Sequence, residues 1–167
     1  MIKKIASVLI SALMFFGLST TAEDLIINKE PKAKIQYFGA YYSLSQIEFT
    51  EICSVVMAES GGEPFKGQQA VAQTILNTCR ITGLRPLEVI REYSYTSWRP
   101  TPSESAKKAV LSVFTDGVEV IDERVTMFYA PKRIKGGYSA DHESQVYSCT
   151  IGGHRFFIEN ANIDKFD

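Results

Sequence analysis

Apolar and polar positions change period once along the chain, and that change divides it into a helical part and an extended part. From residue 42 to about 116, apolar residues recur at spacings of three and four, as in helices with one face turned inward. Ser43 with Gln46, flanked by Tyr42 and Ile47, fits a capping box with a hydrophobic staple. Ser45 with Glu48, flanked by Leu44 and Phe49, fits equally well. Either start predicts a first helix running to about Ser60, where Gly61-Gly62 stops it. A second helix is predicted over 67–80, with Ala72, Ile75, Leu76 and Cys79 along one stripe and Gly83 as its stop. Pro86 suits the first turn of a shorter third helix, 86–93. Thr101-Pro102-Ser103-Glu104 predicts a fourth start, with Thr101 as cap, Pro102 at the first helical position and Glu104 closing the box. This helix carries Ala106, Ala109, Val110 and Val113 and stops at Asp116-Gly117.

Past Gly117 the stretches 125–129 and 154–159 are rich in β-branched and aromatic residues and read as strands, with Gly136-Gly137 and Gly152-Gly153 punctuating the loops between. The predicted class is therefore α+β, with a mainly helical N-terminal half and a small β or extended C-terminal part.

Before residue 42 the pattern is different. Lys3 and Lys4 precede an apolar run over 5–18, and Thr20-Thr21-Ala22 follows with small residues, which together read as an export signal over 1–22. The run is shorter than the roughly 20 residues of a membrane span, so no stable membrane insertion is expected once the signal is removed. Residues 23–41 mix charges with Ile26, Ile27 and Pro31 and read as an arm or linker, with a short strand near 35–38. The expected globular domain is 42–167, secreted or otherwise extracytoplasmic, and acting as a monomer.

Composition narrows the function classes. Removing 1–22 leaves 145 residues, enough for one core, with 16 basic against 19 acidic side chains. That balance gives no electrostatic reason to expect nucleic acid or an anionic membrane as partner. Cys53, Cys79 and Cys149 are too few to frame the fold; one pair could close in an oxidising compartment, or all three could be small buried residues. Asp141, His142 and His154 match no compact ligand pattern, so neither a metal nor another cofactor is expected.

One position breaks the helical pattern in a way that points to chemistry. Ile52, Val55, Val56 and Glu59 share a stripe of the first helix, which puts a carboxylate in line with three core side chains. A charge there is costly unless paired or protonated. Partial burial beside open space, which Gly61-Gly62 would provide, is the setting that fits a carboxyl group to donate a proton near neutral pH. The alternative is a side chain that simply reaches solvent at a helix end.

The block around this residue, Met57-Ala58-Glu59-Ser60-Gly61-Gly62-Glu63-Pro64 with Gly67-Gln68 and the run Ala70-Val71-Ala72 to Leu76-Asn77, resembles the signature of the SleB/CwlJ-type cell wall hydrolases, which include the spore cortex-lytic enzymes. Further segments follow in the family's order: Tyr95-Thr96-Ser97-Trp98, Met127-Phe128-Tyr129-Ala130-Pro131 and Ile151-Gly152-Gly153-His154-Arg155-Phe156-Phe157. The resemblance spans roughly 45–157. It implies a lysozyme-like or lytic-transglycosylase-like fold and places the family's catalytic glutamate on Glu59, acting on the bond between N-acetylmuramic acid and N-acetylglucosamine. Tyr129 departs from the family, which often has His or Asn there.

The implied reaction is lytic transglycosylation of peptidoglycan glycan strands. Glu59 protonates the glycosidic oxygen and then accepts the proton of the muramyl C6 hydroxyl, leaving 1,6-anhydromuramyl ends without a second carboxylate. Candidate substrate-binding residues are Glu63, the next carboxylate in sequence or else a turn residue; Ser97; Trp98, the sole tryptophan and a stacking face for a sugar; Tyr129; and His154, for which a structural place is the more usual reading. Asp116, Asp141 and Glu143 are further carboxylates with nothing to single them out. Rival readings are hydrolysis by water at the same site, a cell wall cysteine peptidase or amidase using Cys149 or Cys53 with His154 or His142, and a wall-binding protein without turnover.

Overall fold

In the computed structural model of the protein, residues 41–166 are described; the predicted export signal and the arm predicted over 23–41, its short strand included, lie outside them except for Tyr41. Four helices come first. Helix α1 (Gln46–Ser60) is capped by Ser45, whose hydroxyl accepts the Glu48 N–H while the Glu48 carboxylate accepts the Ser45 N–H. The second of the two predicted boxes is thus the one that forms, with Leu44 buried and Phe49 packed against the core beside it. Arg85 decides the choice: its guanidinium grips both Glu48 oxygens, Nε to Oε1 at 2.8 Å and Nη2 to Oε2 at 2.6 Å. Burial alone would push the Glu48 carboxyl up, but Arg85 and Ser45 outweigh it and hold it below the ordinary glutamate value.

Helix α2 (Phe65–Thr82) begins two residues earlier than predicted, directly after Pro64, and ends on Gly83 at φ 75°. It is buried from Gly67 to Cys79 and forms the axis around which the other elements pack. Its buried amides are all employed. Gln73 donates to the Ile121 carbonyl at 2.8 Å and accepts from the Val120 and Ile121 N–H groups at 2.6 and 3.0 Å. Asn77 donates to the carbonyls of Asp122 and Val125. These bonds attach the irregular segment between the helices and the sheet to α2, which satisfies backbone groups that burial would otherwise orphan.

Helix α3 (Pro86–Glu92) has Pro86 in its first turn as predicted. Helix α4 (Glu104–Phe114) differs at its start: the cap is Ser103, not Thr101, and its hydroxyl takes the Ala106 N–H at 3.1 Å. Ser103 offers the same capping chemistry two residues later, and the inward stripe Ala106, Ala109, Val110, Val113 is unaffected. Tyr41 and Tyr42 bond through their N–H groups to the Thr115 and Phe114 carbonyls, fastening the segment before α1 to the end of α4.

The sheet has three antiparallel strands in the order β1 (Val125–Tyr129), β3 (His154–Ile158), β2 (Val146–Ile151). The sequence pattern predicts the first and the last but not β2, an edge strand with its side chains half or fully exposed. A one-turn helix, α5 (Ala140–Glu143), precedes it. The observed class is α+β, and one core of α1 to α4 with β1 and β3 serves both parts. The three cysteines are free; Cys53 and Cys79 are buried in that core, and Cys149 packs against it from β2.

Candidate active-site cleft

The stripe predicted on α1 ends where the core opens. Ile52, Val55 and Val56 are fully buried, and Glu59, on the same face one turn later, is only partly covered. It lines a cleft of about 320 Å³ whose other walls are Tyr93, Ser94 and Tyr95 after α3, Thr126, Met127 and Phe128 of β1, His142, and Glu159 just past β3. Thr96 fixes the carboxylate, its backbone N–H donating to Glu59 Oε1 at 2.9 Å. Thr96 is itself held by Arg99, which donates to the Thr96 carbonyl and pairs with Glu51, so the loop over 93–99 is tied back to α1. Burial and the charge of Glu59 push the Tyr95 hydroxyl well above its ordinary value, so it stays a neutral donor beside the carboxylate.

Behind the cleft, Glu63 and His154 brace the end of α1. Glu63 Oε2 accepts the Gly153 N–H at 2.7 Å, and a side chain at Gly152 would occupy the carboxylate's place, its Cβ 1.9 Å from Oε2. His154 is buried, with rings of Phe128 and Phe156 against it. It sets Nδ1 3.5 Å from Glu63 Oε1, beside the end of α1. Burial lowers its pKa, and Arg133 adds to this against the opposing pull of Glu63 and Glu59. The imidazole is therefore neutral at pH 7, and its contact with Glu63 is a packed polar pair, not an ion pair. Arg133 also reaches the Ala58 carbonyl at 3.3 Å, a cation at the helix's negative end.

No family model and no curated protein matches the sequence. Two solved structures are similar to it. One is the catalytic domain of the Bacillus cereus SleB protein, 28% identical, with a TM-score of 0.59, matching 71% of this chain and 95% of that one. Another is the catalytic domain of the germination-specific lytic transglycosylase SleB from Bacillus anthracis, 27% identical, with a TM-score of 0.51, matching 68% of this chain and 96% of that one. The domain is SleB-like.

The cleft of this SleB-like domain gathers some of the predicted site residues and not others. Glu59 lines it; Glu63 and His154 stand behind it as described. Ser97 and Trp98 lie on the exposed 93–99 loop. Ser97 faces a neighbouring groove lined by Ile47, Glu51 and Ile90, which Tyr95 separates from the cleft; Trp98 is 64% exposed. Tyr129 turns to the other face of the sheet, stacked on Phe157, its hydroxyl donating to Glu143, which Arg155 also holds. Sequence reading missed Tyr93, Ser94 and Thr126 as cleft residues, and with them a second carboxylate, Glu159. A lone glutamate at a strand end carries no signal of its own; only the antiparallel pairing of β1 with β3 sets it beside Thr126.

Other chemistry finds little purchase. Burial pushes the Cys53 and Cys79 thiols up to about 12, which leaves them unreactive as nucleophiles. His142 is also lowered by burial and is engaged by Ser139 Oγ at 2.7 Å. Among the described residues no group of three His, Cys, Asp or Glu side chains is disposed to hold a metal ion, and no helix is long and apolar enough to cross a membrane.

Proposed function

We propose that this domain cleaves the glycan strands of peptidoglycan between N-acetylmuramic acid and N-acetylglucosamine by lytic transglycosylation, with Glu59 as the single acid and base. The observation that carries the reading is the position of Glu59. It ends an apolar helix stripe inside an aromatic-walled cleft, with one oxygen fixed by the Thr96 N–H. Likeness to two SleB catalytic domains, one of them a lytic transglycosylase, supports it. A helix-borne glutamate facing a small antiparallel sheet is a lysozyme-like arrangement.

With Oε1 anchored, the other carboxyl oxygen delivers its proton to the glycosidic oxygen as the bond to the anomeric carbon breaks. The carboxylate then accepts the proton of the C6 hydroxyl as that oxygen attacks the same carbon, which closes the 1,6-anhydro ring and regenerates the acid. Tyr95, neutral beside Glu59, and the ring of Phe128 give the cleft its apolar and donor character. Such an enzyme works outside the cytoplasm, in keeping with an export signal over 1–22.

Digestion of purified peptidoglycan with the wild type and with Glu59→Gln, followed by mass spectrometry of the released fragments, tests this. Anhydromuramyl ends from the wild type alone are expected. Fragments heavier by one water would make the reaction a hydrolysis at the same site. Cleaved peptide stems, or a Glu59→Gln variant as active as the wild type, would refute it.

A further inference from the structure

The cleft around Glu59 contains a second carboxylate to which the reaction above gives no task. Glu159 follows the last residue of β3 and is partly exposed at the cleft wall. One of its oxygens, Oε1, accepts the Thr126 hydroxyl at 3.1 Å, and Thr126 Oγ1 in turn accepts from the buried Asn162 side chain at 3.1 Å. The carboxylate is thus aimed by a short chain of hydrogen bonds rooted in the protein interior. Tyr93 lies close on the other side: burial first, and the charge of Glu159 next, raise its hydroxyl pKa.

The lining as a whole has one sign. It includes two carboxylates, Glu59 and Glu159, a histidine that burial keeps neutral, and neither lysine nor arginine. A ligand in this cleft meets acceptors and negative potential at both carboxylates. It is best matched by groups that donate hydrogen bonds or carry positive charge, and poorly matched by anionic substituents.

We infer that Glu159 is a substrate-binding carboxylate of the cleft, taking an N–H or O–H donor of an amino sugar through the oxygen that Thr126 leaves free. This rests on the glycan-cleaving reading for its substrate class, but binding can be measured without cleavage. Glu159 reaches the cleft from β3 and Glu59 from α1, so a sugar held between them is oriented from two separate elements. Glu159 transfers no proton; it positions.

The experiment has two arms. In the first, soluble peptidoglycan glycan fragments are digested by the wild type, Glu159→Gln and Glu159→Ala. Glu159→Ala is expected to raise KM roughly tenfold or more, the worth of one charge-assisted hydrogen bond, with kcat changed much less and the same sugar ends produced. Glu159→Gln, which keeps an acceptor oxygen, is expected to fall between. In the second arm, Glu59→Gln protein, with and without Glu159→Gln, is titrated with chitooligosaccharides in acetylated and de-N-acetylated form. With Glu159 present the ammonium-bearing form should bind several-fold more tightly than the acetylated form, and Glu159→Gln should abolish that preference. Unchanged KM in both variants would overturn the inference. So would loss of water-derived ends alone, which would make Glu159 a base, or an ammonium preference indifferent to residue 159. If the wild type releases no glycan fragments, the reaction reading fails in the first arm while the second arm still reads Glu159.

Discussion

Replacing Gly152 with alanine adds one methyl group where the β2–β3 turn meets the loop between α1 and α2, and its cost can be worked out in two parts. The first is backbone: Gly152 sits at φ 58°, and an L-residue held there costs roughly 1–2 kcal/mol. The second is contact: the new Cβ would lie 1.9 Å from Glu63 Oε2, so the carboxylate must leave its place and give up the Gly153 N–H it accepts at 2.7 Å. A hydrogen bond to a charged group contributes about 1.5–3 kcal/mol. Together the loss is roughly 2.5–5 kcal/mol, a large share of the stability of a domain this size, and at about 4 °C per kcal/mol it lowers Tm by roughly 10–20 °C.

Thermal and urea unfolding followed by circular dichroism would measure it, and a second background separates the parts. In Glu63→Ala protein the carboxylate is already gone, so adding Gly152→Ala should cost the backbone part and a small adjustment at Pro64 Cδ, 3.2 Å from the new Cβ. The two substitutions should couple by about 1.5–3 kcal/mol. An increment that is the same in both backgrounds would refute the view that Glu63 is what the glycine makes room for.

Three further outcomes follow from other parts of the structure. Gln73→Met removes the partner of three backbone groups at Val120 and Ile121 and should cost about 2–4 kcal/mol in urea unfolding, although the new side chain is also unbranched and of similar length. Glu48 has a folded pKa below its unfolded value of 4.5, so its contribution is fully present above about pH 4.5 and is lost as pH falls through the lowered folded value. Urea midpoints measured from pH 6 down to 3 should fall less steeply in Glu48→Gln than in the wild type. With thiols pushed up to about 12, Cys53 and Cys79 have roughly one part in ten thousand thiolate at pH 8. Mass spectrometry should find both unmodified by iodoacetamide in native protein and modified in urea.

The helices were legible because their signals are local. Ser45 with Glu48, Pro86 and Gly83 act within a turn of where they stand, and the inward stripes follow from spacing alone. Where two local signals compete, distant residues decide. Arg85 selects the Ser45 box over the Ser43 box by gripping Glu48, and nothing within four residues announces it. The strand β2 was not legible because its side chains face solvent as much as protein, so no clean alternation survives. The cleft was half legible for the same reason. Glu59 contradicts its own helix stripe and so stands out; Glu159 contradicts nothing, and becomes part of the cleft only through pairing of β1 with β3.

The two glycine-bearing segments that point to the SleB-like family are one structural unit, and this changes what their polar residues mean. Glu59-Ser60-Gly61-Gly62-Glu63 ends α1, and Gly152-Gly153-His154 turns β2 into β3. They meet where Glu63 accepts the Gly153 N–H in space that only a glycine at 152 leaves open. His154 completes the joint, neutral and buried, between Glu63 and the backbone of Glu59. A carboxylate and a histidine four and ninety-five residues from the glutamate proposed as catalytic invite reading as its partners in chemistry, but neither lines the cleft. What they bear on is the position of Glu59, held from behind by this joint and from the front by the Thr96 N–H. Under the proposed mechanism the acid must serve as base a moment later and needs its free oxygen kept in place through both steps; a helix end fixed to the sheet at one point and to a pinned loop at another suits that demand.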